Sequence, residues 1–145
     1  MTTTATPGRV TASAHRRLRS RAFAVAAAVL AAIVVWSVAV QLLGVDLTVR
    51  TTSGVGSTQT IGATSVLAVS LLASMLGWGL LAALERATPR AGTLWTVAAT
   101  VVLLLSLAGP LTAAVTTAAA LSLVLLHLSL AATLIPLLRR TTSPA

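Results

Sequence analysis

Two histidines, two carboxylic acids and ten arginines are the titratable side chains of this sequence; it has no cysteine and no tyrosine. Thiolate metal sites, disulfides, thiol relays and cysteine nucleophiles are therefore excluded together. His127 is the most suggestive of these side chains. It lies within the apolar stretch "LVLLHLSLAATLIPLLRR", Leu123 to Arg140. An imidazole in such a place is suited to passing a proton or an ion. A relay needs a second titratable group at similar depth, and no Asp, Glu, Lys or Arg falls inside the apolar blocks. The residues at helical spacing around it, Thr116, Ala120 and Ala131, form a small, weakly polar stripe that predicts a face turned toward other helices. The expected role is a hydrogen bond from His127 to a neighbouring helix, with a proton or ion pathway as the alternative.

The acids are expected in ion pairs. Glu85, in "ALERATPR", has Arg86, Arg90, Arg139 and Arg140 as expected partners. Asp46 and Arg50 read as a solvated loop pair. Ser70, Ala73, Ser74 and Gly77 repeat at spacings of three and four, placing small residues on one helix face for a close contact within the protein or between copies. Trp78 and Trp95 read as residues of the membrane-interface belt or as packing residues. Nucleophile elbows, zinc-protease motifs, phosphate-binding loops and dinucleotide fingerprints do not occur. No cofactor, metal ligand set or catalytic group is expected, and the chain does not read as an enzyme.

The elements that must position these residues are spanning helices. The chain is 57% hydrophobic and 8% charged, with a mean hydropathy of +0.98. A soluble domain carries about a quarter charged residues, and lipid is the solvent that suits this balance. Residues 1–21 read as a disordered basic tail. Four spans are expected at about 22–43, 61–84, 92–108 and 118–138, with an outer loop at 44–60 and a short tail at 139–145. The loop pattern permits a small β-hairpin. The stretch Ala91 to Leu138 has no charged residue and is too long for one span, so Gly109-Pro110 is the predicted break, with Thr112, Thr116 and Thr117 in a polar hairpin.

Arginine sets the orientation. Nine of the ten lie in the N-terminal tail, the Glu85–Arg90 turn and the C-terminus; Arg50 alone lies in the opposite loops. The positive-inside rule places both termini in the cytoplasm. The first apolar block, about 20 residues, exceeds the h-region of a cleaved signal peptide. Arg16, Arg17, Arg19 and Arg21 are positioned to contact anionic lipid. No nucleic-acid motif or interleaved aromatic accompanies them.

The stretches "LLASMLGWGLLAALERATPRAGTLWT", "LSLAGP" and "HLSLAATLIPLLRR" resemble a family of small four-span membrane proteins, a domain of unknown function, from high-GC Gram-positive bacteria. The resemblance covers about residues 22–140 and implies the four-helix layout without implying an activity. The expectation is an all-α, antiparallel four-helix membrane protein, multi-pass in the bacterial inner membrane. Its expected partners are the lipid bilayer and a second copy or another membrane protein, in a structural or accessory role. The alternative is a small transporter or channel that uses His127.

Overall fold

A computed structural model of the chain describes residues 7–51 and 56–142. Helix α1 (Pro7–Ser37) runs into a π-helical turn at Val38–Leu42. A two-stranded antiparallel sheet follows, β1 (Thr48–Arg50) and β2 (Thr58–Thr60), paired in the register Thr48 to Thr60 and Arg50 to Thr58. Then come α2 (Ala63–Ala87), α3 (Ala91–Ser106), the short α4 (Ala108–Ala113) and α5 (Thr117–Arg139). Four segments are long and apolar enough to cross a membrane: His15–Leu42, Ala63–Ala87, Ala91–Ala113 and Thr117–Arg139. The architecture is an all-α membrane bundle with a minor sheet at one end. Helix α1 packs against α5 and α2, and α3 closes the far side against the same two helices.

Two boundaries differ from the sequence reading. Residues 7–21, expected as disordered tail, continue the first span as one helix. Proline is favourable at the first helical position, where its missing N–H has no partner to lose. The alanines and arginines that follow are strong helix formers extending an already nucleated helix. The second difference concerns Gly109-Pro110. The interruption falls at Leu107, and Pro110 sits in the first turn of α4, where proline is tolerated. Thr112 is helical there and donates to the Ala108 carbonyl. Thr116 is the N-cap of α5, its hydroxyl accepting from the Ala119 N–H.

The 44–60 loop does form the hairpin. Of its expected turn at Ser53-Gly54-Val55-Gly56, residues 53–55 lie outside the described residues. Gly44, at φ +65°, lets the chain reverse after the π turn. The hairpin is anchored rather than free: the Trp36 indole donates to the Ile61 carbonyl, and Val115 N–H donates to Thr48 O. Such ties matter because an isolated two-stranded hairpin is marginal in water. Asp46 and Arg50 do not pair as expected. Asp46 accepts from the Thr48 hydroxyl at 2.6 Å, and Arg50 reaches the Ala114 carbonyl. An exposed ion pair contributes little in water, so little opposes these alternative contacts.

The packed interior has two parts. One surrounds Ala24, Ala28, Leu81, Trp95, Leu134 and Leu138. The other, toward the hairpin, holds Ala32, Leu47, Val66, Ala119, Leu123 and Leu126. Ala24, Ala28 and Ala32 repeat every four residues along α1 and are all but fully buried. With no side chain beyond Cβ they let helices approach closely, which in lipid is what stabilises helix pairs.

Candidate functional site

At the end of the bundle where α1 enters the apolar zone, Arg21 occupies the same helix face as Ala24 and Ala28 and is buried. Its Nη2 donates to Glu85 Oε1 at 2.5 Å, and its Nε donates to Thr141 Oγ1 at 3.1 Å. One guanidinium thus joins α1, the end of α2 and the chain just after α5. The fork geometry of arginine suits this, since its donors point in fixed divergent directions. The expected partners of Glu85 were Arg86, Arg90, Arg139 and Arg140. Arg21 takes it instead because an ion pair gains more where water is excluded than between exposed side chains, and Arg86, Arg90, Arg139 and Arg140 are all exposed. For the same reason Arg21 is not placed for lipid contact, whereas Arg16, Arg17 and Arg19 remain exposed.

Trp95 is a core residue and not part of a belt: it is 1% exposed. Its indole N–H donates to the Gly77 carbonyl at 2.7 Å, tying α3 to α2. A Cβ at Gly77 would meet Leu134 and Trp95 at 3.6 and 3.8 Å, ordinary contact distances, so both side chains pack directly over this glycine. Ser70 and Ser74 of the same stripe are buried within the protein, and Ala73 is exposed, so the stripe is narrower than its spacing suggests. Ser74 is fully buried, and its hydroxyl lacks a partner among the described residues. Trp78 is half-buried and packs against the Trp95 part of the core.

His127 does not bond to a neighbouring helix. Its Nδ1 lies 2.7 Å from the Leu123 carbonyl, one turn back on α5. A carbonyl oxygen only accepts, so Nδ1 is the donor, and Nε2 has no hydrogen-bond partner among the described residues. The ring lines an open cleft of about 340 Å³ between α2, α4 and α5, beside Ser70 and Ser106. Several hydroxyls of the spans follow the same rule as the imidazole. Thr96, Thr100, Ser106, Ser129 and Thr133 all donate to carbonyls three or four residues back on their own helices. In lipid a polar group without a partner is costly, and the nearest carbonyl of its own helix is always within reach. Side-chain polar bonds between elements are made by Arg21 and Trp36 toward the two ends of the bundle and by Trp95 within the packed interior.

Two features escaped the sequence reading. The alanine stripe of α1 was legible as a spacing of four but competed with many similar spacings in an alanine-rich chain. The partnership of Arg21 and Glu85 spans 64 residues and had no local signal. Among the described residues, no group of three or more His, Cys, Asp or Glu side chains comes together. A family model described as a family of unknown function (DUF6069) matches residues 12–144. No curated protein and no solved structure matches the chain.

Proposed function

The chain belongs to DUF6069, a family of unknown function, so membership brings no activity with it, and we propose a non-enzymatic structural or accessory role in the bacterial cytoplasmic membrane. It would work through helix packing with a second copy or with another membrane protein. High-GC Gram-positive origin is the source that the alanine and arginine bias favours.

The observation that carries this reading is how the polar groups of the spans are used. His127 is the one titratable side chain at mid-depth among the described residues, and its Nδ1 proton is committed to its own helix. Proton paths need successive groups able to exchange protons. The hydroxyls of Thr96, Thr100, Ser106, Ser129 and Thr133 are likewise turned onto their own backbones, and no second titratable side chain stands at that depth among the described residues to continue a path.

We place both termini in the cytoplasm, on the strength of nine arginines at that end. The absence of native cysteine makes the test direct. In spheroplasts, a membrane-impermeant maleimide should label Thr58→Cys at once and Ala87→Cys only after permeabilisation. The reverse pattern would overturn the orientation.

One observation favours a second reading, a small transporter or channel: His127 lines a cleft, and its Nε2 has no partner among the described residues. Proteoliposomes separate the two. Proton and cation flux through the wild-type protein should equal that of protein-free vesicles, with His127→Ala and His127→Gln unchanged. Flux above background that both substitutions abolish would establish the second reading in place of the first.

A further inference from the structure

The end of the bundle that carries Arg21 also carries an open cleft of about 930 Å³, between the N-terminal part of α1 and the C-terminal end of α5. Four arginines line it: Arg16, Arg17 and Arg19 from α1, and Arg140 from just beyond α5. All four are exposed. The chain holds two acidic residues in all, Asp46 and Glu85. Glu85 is taken by Arg21. Asp46 lies in the hairpin connection at the opposite end of the spans. The charge of this cleft is thus uncompensated by any carboxylate side chain of the protein.

The remaining walls narrow the ligand. Ser20, Thr141 and Thr142 line the cleft, but each hydroxyl proton is already given to a backbone carbonyl. The donors left for a ligand are the guanidinium N–H groups, which match the oxygens of a phosphate in pairs, and the imidazole of His15, which also lines the cleft. Phe23 and Leu137 add apolar surface, and both belong to spanning segments. Guanidinium groups above and hydrocarbon below is the arrangement a phospholipid meets at the membrane surface.

We infer that this cleft binds the phosphate of an anionic phospholipid, held by Arg16, Arg17, Arg19 and Arg140, with Phe23 and Leu137 under the acyl chains. The site goes beyond the accessory role and does not depend on it. It requires the membrane-spanning architecture alone. It also differs from a general attraction of basic residues to the surface, because Arg86 and Arg90 share the same end of the bundle and do not line the cleft.

The experiment is native mass spectrometry of the full chain, delipidated in detergent and titrated with phosphatidylglycerol, cardiolipin or phosphatidylcholine. Both anionic lipids should bind about ten-fold or more tightly than phosphatidylcholine, the scale set by two or more surface arginines. Arg17→Gln with Arg140→Gln should remove most of that preference, while Arg86→Gln with Arg90→Gln should retain it. Thermal melts of both double variants identify any loss caused by unfolding. Equal losses from the two pairs, or no loss from the first, would overturn the site. Competition by inorganic phosphate or tail-less glycerophosphoglycerol should be weak. If either displaces the lipid at comparable concentration, the ligand is a soluble phosphate compound and the lipid assignment fails.

Discussion

Glu85→Gln should destabilise the bundle by about 2–4 kcal/mol, measured as the shift in an unfolding titration with sodium dodecyl sulfate in bicelles. Removing one partner of a buried pair leaves the other charge without compensation, which typically costs about 3–5 kcal/mol. The side chain of Arg21 is 9% exposed and that of Glu85 is 25% exposed, so water reaches one partner and the expected cost falls below the fully buried range. The asymmetry makes a further demand. Glu85→Gln strands the more deeply buried charge and should cost more than Arg21→Gln, which strands the wetter one. Arg21→Gln also gives up the donor to Thr141 and loosens the chain after α5. The double variant should recover stability relative to the sum of the singles, since it strands no charge. If both single variants shift stability by less than about 0.5 kcal/mol, the value ordinary for a surface pair, Arg21 does not join these elements in the way described.

Trp95→Ala carries the second large effect. In soluble cores, truncating a buried tryptophan to alanine costs about 3–5 kcal/mol through lost contacts and the cavity left behind. In a bilayer, expulsion from water contributes less between helices and packing contributes most of what remains, so about 2–4 kcal/mol is expected here. The indole N–H is a separable part. Trp95→Phe keeps most of the ring volume and loses the bond to Gly77 O, for an expected cost of about 1 kcal/mol. The same detergent titration reads both. A Trp95→Ala variant as stable as wild type would mean that Trp95 faces lipid, as an interfacial belt residue would.

The number and rough position of the spans were readable because lipid imposes a length on every crossing segment, and the hydropathy blocks obey it. The hairpin was readable from its alternation and glycines. The facing of side chains was far less so. In water an apolar residue points inward, but in lipid an outward Leu105, 69% exposed, and an inward Leu81, fully buried, are the same residue type on similar helices. His127 shows the same limit. Its depth followed from its distance to Thr117 and Arg139, whereas the choice between a neighbouring helix and its own Leu123 carbonyl is a matter of one side-chain rotamer. Arg21 was assigned to lipid with Arg16, Arg17 and Arg19 because the four are adjacent in sequence. Helical rotation turns Arg21 away from Arg16 and Arg19, and its place one turn further along the face it shares with Arg17 brings it against Glu85 and Thr141.

The accessory role stands on association within the membrane, and crosslinking in native membranes tests it most directly. Membranes expressing the tagged full chain at native level would be treated with a short crosslinker, extracted in mild detergent and resolved after affinity capture. The role proposed here gives a discrete species larger than the monomer, containing either a second copy or one recurrent membrane partner, and unchanged in His127→Gln. Monomer alone, across crosslinkers of different reach and chemistry, would contradict it.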